Sequence, residues 1–393
     1  MTPGISRRRL LGGTAAAIAG LAVADLLPTL AERAVAGAPA ILKPLPPEWF
    51  IDYGSNAEMR WDSVDPRVYA TPQARLFVRD HTSTPTIDPS TYRLRILGDG
   101  LVRSEGVELT LGQLRALPQV TLTSVHECTG NGRSFFATQQ GKAASGTQWK
   151  LGAVGTVVWH GVRLRDVLDA VGVRRDAVSV MATGLDPSYV SGGVDYGPVR
   201  RPFPISKAYD DALLAWSMNG GDLLPDHGFP LRLVLPGWVG IGSIKWLGSL
   251  EVSTSEQTSP WSTTWYNLDG RPLAANPVRS AFELPWGAQL PRRTVVLTGR
   301  SWSGAGPIAK VEISTDGGAT WSRAELDRPR SDSAGTGHGW TRWAYRWTAP
   351  RPGSHELLAR ATDALGRTQP DVAAWNPNGY FFDAVVRHPV TVG

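Results

Sequence analysis

Residues 122–136 read Leu-Thr-Ser-Val-His-Glu-Cys-Thr-Gly-Asn-Gly-Arg-Ser-Phe-Phe, and Cys128 within them is the only cysteine among 393 residues. A β-branched run, Val120 to Val125, precedes the cysteine and a Gly-Asn-Gly-Arg turn follows it, which predicts a strand that delivers a thiol to a tight loop. A free cysteine more often packs as a small buried hydrophobe. Polar neighbours such as His126 and Arg133 argue against that interpretation here. A nearby cation lowers the pKa of a thiol and favours the thiolate, the form that ligates metals or attacks substrates.

The composition indicates a folded chain of two domains plus a tail. The length of 393 residues exceeds one ordinary domain, and 42% apolar with 19% charged residues is typical of packed proteins. The net charge of +5 suits small anionic ligands or an acidic protein partner. The sequence contains no Lys/Arg-rich block of the kind that indicates nucleic-acid binding. One cysteine excludes an intrachain disulfide, and the absence of Cys-x-x-Cys-His excludes a covalently attached c-type haem in this chain.

Residues 1–40 are predicted to be an export segment of the Tat type. Ser6-Arg7-Arg8-Arg9-Leu10-Leu11 precedes a weakly apolar, Ala/Gly-rich stretch. Asp25 interrupts that stretch before it reaches the ~20 residues that a membrane span needs. Cleavage after Ala34-Val35-Ala36 or after Ala38-Pro39-Ala40 is equally compatible with the pattern. Because Tat systems export folded proteins, we expect a periplasmic or other extracytoplasmic protein that receives its cofactor before export.

Residues 41–275 are predicted to form an α+β domain, because strand-like and helical patterns intermix without a strict βαβ alternation. Helices are expected at Thr110 to Leu117 and, from a 3.6-residue apolar period, at Gly161 to Val171. The expected strands are Tyr92 to Leu97, Val120 to Val125, Leu231 to Leu235 and Trp246 to Val252.

Residues 276–393 are predicted to form an immunoglobulin-like β-sandwich, because short alternating runs recur with turn signals between them. The expected strands include Thr294 to Leu297, Ala309 to Ser314, Trp340 to Trp347 and Glu356 to Ala361. Asp316-Gly317-Gly318 between two such runs predicts a hairpin. A sandwich of this kind more often binds or dimerises than catalyses.

Four groups of polar residues accompany Cys128 and carry possible chemistry. They are Phe77 to His81, Gly184 to Asp186, Asp226 to Arg232, and Gly242 to Trp246. A glycine loop with Ser and Lys, beside a strand with His and Arg, can hold a phosphate through backbone N–H groups and cations. A solvated surface turn with a structural histidine fits the same residues equally well. Walker A, GxGxxG, His-Glu-x-x-His and zinc-ligand spacings are absent from the sequence.

The order and spacing of these motifs resemble the sulfite oxidase family of molybdopterin enzymes. The matching stretches are Phe77 to His81, Glu127 to Arg133, Trp216 to Gly220, Asp226 to Arg232, Pro236 to Gly240, Ile244 to Leu247, Val311 to Trp321 and Trp375 to Tyr380. The resemblance implies a molybdopterin-binding α+β domain followed by an immunoglobulin-like dimerisation domain, and hence a homodimer.

The resemblance also implies a molybdenum–molybdopterin cofactor, with Cys128 as the one protein thiolate on the metal. A soft anionic sulfur suits an electron-rich, redox-cycling metal. The implied cofactor-binding residues are Phe77, Val78, Arg79, Asp80 and His81 along the cofactor, Asp186 at the pterin, and His227, Arg232, Ser243, Ile244 and Lys245 around its phosphate.

The catalytic residues that the resemblance implies are Arg79, Arg133 and Tyr196. The two arginines would bind a small anionic substrate, and Tyr196 would hydrogen-bond the reacting oxygen. Tyr189 competes for the tyrosine's role, because Pro198 to Pro202 interrupts the match. Trp149 is expected to line the substrate pocket.

The implied reaction is oxygen-atom transfer, most simply the oxidation of sulfite or a related sulfur oxyanion. Two electrons would then leave singly to a separate carrier, such as a c-type cytochrome. Asn378 stands where sulfite-oxidising members often have an arginine, so the anion pocket carries one cation fewer. Asn378 therefore leaves one alternative open, the reduction of an S-oxide or N-oxide, such as methionine sulfoxide, on the same cofactor. A separate alternative is a non-catalytic exported binding protein on the same scaffold.

Overall fold

The computed structural model describes residues 41–103, 105–327, 338–348 and 351–393. These residues belong to one unit, Gly37–Gly393. The predicted export segment, residues 1–40, lies outside the described residues. Within the described ranges, no helix combines the length and the hydropathy that a membrane crossing requires.

The part of the fold before residue 276 consists of short strands and short helices. In chain order they are β1 Phe50–Asp52, β2 Asn56–Met59, β3 Val78–Arg79, β4 Leu94–Leu97, β5 Val107–Leu109, α1 Leu111–Arg115, β6 Gln119–Glu127, α2 Ser134–Thr138, β7 Val154–Arg163, α3 Leu164–Val171, β8 Ser179–Gly184, β9 Val190–Ser191, β10 Val194–Asp195, β11 Arg200–Pro204, α4 Ile205–Asp210, β12 Leu213–Met218, β13 Gly221–Asp222, β14 Arg232–Val234, β15 Leu247–Ser253, α5 Pro260–Thr263, β16 Asn267–Leu268 and β17 Arg271–Pro272.

Two larger sheets organise this part of the chain. One has the strand order β11-β8-β15-β4-β5, and the other has the order β13-β12-β7-β6 with β14 paired to β12. Within the first sheet, β15 and β4 run parallel, whereas β15 and β8 run antiparallel. A shared apolar core includes Leu94, Val167 and Leu247, all fully buried. The predicted α+β class is confirmed.

The helix predicted at Gly161 to Val171 is wrong in its first three residues. β7 continues to Arg163, and α3 begins only at Leu164. Gly161 is paired on both sides of its strand, and a Cβ atom there would lie 1.9 Å from the carbonyl oxygen of Leu214. Val162 therefore matches the helical period by coincidence, because sheet pairing decides its conformation.

The remaining described strands form a β-sandwich. They are β18 Arg279–Phe282, β19 Ala288–Leu290, β20 Val295–Trp302, β21 Ile308–Ser314, β22 Ser322–Arg323, β23 Glu325–Asp327, β24 Thr341–Trp347, β25 Gly353–Asp363 and β26 His388–Val392. One sheet has the order β18-β20-β24-β23 and the other β19-β26-β25-β21-β22. The interior is apolar, with Leu297, Val311 and Leu357 at its centre. The predicted sandwich is confirmed.

The predicted hairpin at Asp316-Gly317-Gly318 is also present. β21 and β22 pair antiparallel on either side of it, and both glycines have positive φ, 72° and 104°. Glycine is the residue that adopts this region without steric cost. The sequence boundary predicted between residues 275 and 276 falls between β17 and β18.

Candidate active site

One cavity gathers residues from all four polar groups around Cys128. Its lining consists of Phe77, Arg79, His81, His126, Cys128, Thr129, Asp186, Val199, Asp226, His227, Arg232, Gly240, Ile241, Ser243, Ile244, Lys245, Trp246 and Tyr266. These residues lie up to 189 positions apart in the chain, from 77 to 266. Folding therefore assembles at one place the motifs that the sequence keeps separate.

β6 delivers Cys128 to the cavity, as the β-branched run predicts. Alternation along a strand places residues two positions apart on the same face, so His126 lines the cavity together with Cys128. The thiol is buried, at 7% exposure. The predicted lowering of its pKa is wrong, because burial raises the pKa of Cys128 despite the opposing charges of Arg79 and Arg133. A metal that binds this sulfur would displace its proton.

Alternation along β3 and its flanks separates the first polar group into two sets. Phe77, Arg79 and His81 line the cavity. Val78 instead packs into a small apolar cluster with other core residues, and Asp80 is directed to the ammonium group of Lys245. Only three of the five residues predicted to lie along the cofactor thus face the cavity, although their roles stay predictions.

The predicted phosphate end of the cavity is built around Arg232, which is 1% exposed. Its Nη1 donates to the carbonyl oxygen of His227 at 2.9 Å, and its Nη2 donates to that of Ser243 at 3.1 Å. Its buried Nε has no partner among the described residues. Burial lowers the pKa of Arg232 to about 9. A buried cation with an unsatisfied donor favours an anion at this position.

Neighbours complete this end of the cavity. Lys245 pairs with the carboxylate of Asp80 and donates to the carbonyl oxygen of Asp226 at 3.0 Å. The hydroxyl of Ser243 accepts a hydrogen bond from the backbone N–H of Leu235 at 3.0 Å, which leaves its proton available to another acceptor. Ile244 lines the cavity and belongs to the apolar core.

Asp186 is a buried carboxylate that faces the cavity. Its Oδ2 accepts a hydrogen bond from the backbone N–H of Val199 at 3.0 Å. No ion pair within 4.0 Å involves it among the described residues. Burial raises the pKa of Asp186 to about 6. A ligand that donates N–H groups, as the pyrimidine portion of a pterin does, would satisfy this carboxylate.

Arg133 lies in a tight enclosure at the Cys128 end of the site. Its Nε donates to the carbonyl oxygen of Asn378 and its Nη1 to that of Thr147, both at 2.8 Å. Cβ atoms added to the enclosing glycines would lie 2.5 Å from the guanidinium at Gly130, 2.8 Å from it at Gly146, and 2.5 Å from the side chain at Gly379. Burial lowers the pKa of Arg133, and the nearby Cys128 opposes that shift. Arg133 is thus a fixed cation beside the thiol, although it does not line the cavity.

The tyrosine at the cavity is Tyr266, which the sequence reasoning missed. Its hydroxyl lies 2.9 Å from Nε2 of His81, and its ring stacks on Tyr380 at 5.2 Å between centroids. Tyr196 and Tyr189 pack instead around Trp265 in an adjoining aromatic cluster and do not line the cavity. Their catalytic roles stay predictions, but the structure does not bring them to the cavity wall.

Trp149 is also placed differently from the expectation. It is fully buried in the core cluster that contains Cys128, with its ring edge-on to Phe77 at 6.3 Å. His126 stacks on the ring of Phe77 at 5.7 Å between centroids. The two-residue spacing from Cys128 along a strand is the signal that could have identified His126. Tyr266 gives no such signal, because it lies in a loop with φ of 53°.

Comparisons with known proteins follow the two parts of the fold. Residues 81–261 match the oxidoreductase molybdopterin binding domain, and residues 275–392 match the Mo-co oxidoreductase dimerisation domain. Sulfite oxidase of Gallus gallus is 35% identical over 337 residues, which cover 79% of this chain and 71% of that protein. The chain belongs to the sulfite oxidase family.

Two further proteins are similar to this chain. Mitochondrial sulfite oxidase of Rattus norvegicus is 34% identical over 82% of this chain, and the match spans only 62% of that relative's length. The solved structure of the sulfane dehydrogenase SoxCD from Paracoccus pantotrophus superimposes with a TM-score of 0.71 at 26% identity, covering 87% of this chain and 84% of that chain. The predictions of a molybdopterin-binding fold, a dimerisation domain and a molybdopterin cofactor are confirmed at the level of the family.

The side chains of this sulfite oxidase family member fit the cofactor. The buried, unpartnered Nε of Arg232 suits a phosphate, and the unpaired carboxylate of Asp186 suits N–H donors. Cys128 offers one sulfur at the wall of the same cavity. The cavity thus provides complementary partners for a phosphate, a pterin ring and a metal.

Proposed function

We propose that this protein oxidises sulfite or a related sulfur oxyanion by oxygen-atom transfer. The observation that carries the proposal is the presence of two cations near Cys128: Arg79 lines the cavity with it, and Arg133 is held in an adjoining enclosure. The charges of both arginines act on the thiol of Cys128. When bound, the molybdenum–molybdopterin cofactor supplies the oxygen-atom and electron transfer.

The residues of the chain bind and orient the anion. Arg133 is held by two carbonyl oxygens, so its guanidinium is already placed and little side-chain entropy is lost when an anion binds. Arg79 lines the cavity itself. Cations that are fixed at the cavity and beside it favour an anionic substrate more strongly than mobile surface lysines do.

Tyr266 is the hydroxyl group best placed to hydrogen-bond the substrate's oxygen. His81 is neutral, since burial together with the charges of Arg79 and Lys245 holds its pKa well below the usual value. When Nε2 of neutral His81 donates its proton to the hydroxyl oxygen of Tyr266, the hydroxyl proton of Tyr266 is not used in that hydrogen bond and is available to another acceptor. Tyr266 could then donate that proton to an oxygen in the cavity.

The experiment that tests the proposal is a steady-state assay of purified protein with sulfite and an external acceptor. Molybdenum and pterin are measured in the same sample. Turnover that scales with molybdenum content supports the proposal. Stoichiometric molybdenum without sulfite turnover contradicts it and leaves the family assignment intact.

A second candidate is a sulfur substrate with less negative charge than sulfite. Asn378 favours it, because this amide contributes no cation where an arginine is often found. The similarity to a sulfane dehydrogenase supports the same direction. The reverse reaction, reduction of methionine sulfoxide or an N-oxide, belongs to this candidate. Failure of methionine sulfoxide to oxidise the reduced metal centre rejects the reverse reaction.

The non-catalytic alternative is disfavoured, because such a protein has no need to keep both Cys128 and the phosphate-end cations.

Three further properties belong to the proposal. The dimerisation domain supports a homodimer, which light scattering at micromolar concentration tests. Electrons would pass to a separate carrier, such as a c-type cytochrome. Export by the Tat system to the periplasm is proposed from the pattern of residues 1–40. Cell fractionation tests it by comparing the location of the unmodified full chain with that of the Arg7→Lys/Arg8→Lys variant.

A further inference from the structure

The segment Ile41–Lys43 contacts two cavity-lining residues, Asp226 and His227, at the predicted phosphate end. The backbone N–H groups of Leu42 and Lys43 donate to the two carboxylate oxygens of Asp226, at 2.8 and 2.7 Å. The hydroxyl of Thr84 donates to the same carboxylate at 2.6 Å. Asp226 lines the cavity, yet its carboxylate is used to anchor this segment. The sequence motif assigned no role to Asp226, and these hydrogen bonds show that it anchors the segment Ile41–Lys43.

The side chain of Lys43 continues from this anchor into the protein. Lys43 is only 9% exposed. Its ammonium group donates to the carbonyl oxygens of Leu76 and, at 3.3 Å, of Gln73. The same nitrogen lies 3.4 Å from Nε2 of His227. Lysine is rarely buried unless its ammonium group has specific partners, so the burial of Lys43 indicates that these contacts are specific.

The contact with Lys43 decides which nitrogen of His227 carries the proton. Burial and the charges of Lys43, Lys245 and Arg232 hold the pKa of His227 well below its usual value, so the ring is neutral. Burial lowers the pKa of Lys43 itself to about 7. Below that pH its nitrogen is an ammonium group, which has donors and no acceptor, so Nε2 of His227 accepts and the proton lies on Nδ1. Nδ1 hydrogen-bonds no side chain or backbone group in the described part of the chain. His227 lines the cavity, so this N–H can serve a ligand there.

We propose that Lys43 is a positioning residue for the cofactor's phosphate. It holds His227 as the Nδ1–H tautomer, and that N–H donates to a phosphate oxygen beside Arg232, Ser243 and Lys245. The anchor at Asp226 holds Ile41–Lys43 against this end of the site, so the contact between Lys43 and His227 is kept and release of the bound pterin is slowed. The inference rests on the proposed position of the phosphate, and it does not depend on which substrate is oxidised.

The first test measures pterin release from purified holoprotein. Released and retained pterin are separated by gel filtration and quantified by the fluorescence of the oxidised pterin, so no activity assay is involved. Lys43→Met is expected to release pterin at least tenfold faster than the unmodified protein. Lys43→Arg keeps a cationic donor and should restore slow release. Lys310→Met is the matched control, because Lys310 is partly exposed on the sandwich and pairs with Glu312.

The second test addresses the tautomer and keeps Lys43 in place. In His227→Asn the amide N–H stands near the position of Nδ1, whereas in His227→Gln it stands near that of Nε2. The asparagine variant is expected to retain pterin at least fivefold better than the glutamine variant. That preference should persist when Lys43→Met is combined with each, because an amide has no tautomer for Lys43 to set.

Two results overturn the inference: pterin release from Lys43→Met at the unmodified rate, or equal retention by the two His227 variants. If Lys43→Met does not accumulate, the comparison of the two His227 variants still decides. Normal pterin retention without sulfite turnover would sink the proposed substrate and leave this inference standing.

Discussion

Glu127 and Arg279 form a buried ion pair that joins the cysteine loop to the first strand of the sandwich. The two charged atoms lie 3.1 Å apart, and the side chains are 1% and 2% exposed. Glu127 also accepts a hydrogen bond from Nε1 of Trp302 at 2.9 Å. Because Glu127 directly precedes Cys128, the sandwich fixes the position of the loop that carries the thiol.

Removing the cation of this pair should destabilise the whole unit. Arg279→Met leaves Glu127 buried without a partner charge, which typically costs about 3–5 kcal/mol. We expect that decrease in the free energy of unfolding, measured by urea denaturation at pH 7.5. The matched control is Arg387→Met, whose partner Glu356 is half exposed. That change should cost less than about 1 kcal/mol. Equal losses in the two variants would contradict a structural role for the Glu127–Arg279 pair.

Asp186→Asn should stabilise cofactor-free protein above pH 6. Burial raises the pKa of Asp186 from 3.8 to about 6. The folded state therefore holds this proton more tightly than the unfolded state, and its stabilising contribution is lost as the pH rises through 6. We expect a gain of about 1–3 kcal/mol at pH 7.5 that shrinks towards zero at pH 4. Urea denaturation at both pH values measures it, and a gain that is the same at both would contradict the assignment.

Asp316→Asn provides a control of opposite sign. Hydrogen bonds from Thr320 and Ser314 hold the pKa of Asp316 at about 2. Its ionised form is therefore favoured by folding, and that stabilisation is lost as the pH falls through 2. Its replacement should lower stability at pH 7.5 instead of raising it.

Asn378→Arg should strengthen the binding of sulfite. The backbone carbonyl of Asn378 already contacts Nε of Arg133, so a guanidinium there adds a cation to the same anion pocket. We expect KM for sulfite to fall by about tenfold, equivalent to about 1.4 kcal/mol, with a steeper dependence on salt. Ala364→Arg, an exposed position on the sandwich, controls for net charge. An unchanged KM in Asn378→Arg would place the substrate away from Arg133.

Tyr266→Phe should impair turnover more than Tyr196→Phe does. Tyr266 lines the cavity, whereas Tyr196 packs against Trp265 at 4.8 Å between ring centroids. Loss of a hydrogen-bond donor at the reacting oxygen is expected to lower kcat by at least tenfold, with little change in KM. Tyr196→Phe is the matched control and should lower kcat less than threefold. The reverse order of the two effects would restore the tyrosine that the sequence resemblance implies.

Strand alternation explains most of what the sequence could predict about the site. The β-branched run before Cys128 forms β6, and the apolar period after residue 163 forms α3. Gly161 and Val162 also fit the helical period, but pairing on both sides of β7 overrides it. Local pattern cannot reveal such pairing, because the partner strands are far away in sequence.

The position of Tyr266 at the cavity and the contact of Lys43 with His227 could not be predicted from the sequence for a related reason. Tyr266 and His81 are 185 residues apart, and Lys43 and His227 are 184 apart. Neither pair belongs to a motif with fixed spacing. Their contacts depend on how loops cross the cavity, which only the assembled fold defines.

The most direct test of the central claim is an anaerobic single-turnover experiment on molybdenum-replete protein. One equivalent of sulfite per molybdenum is added, and sulfate is quantified together with the electrons delivered to an external acceptor. We predict one sulfate and two electrons per molybdenum, with neither product from a Cys128→Ser variant. Recovery of unreacted sulfite from protein with stoichiometric molybdenum and pterin would contradict the proposed oxidation of sulfite.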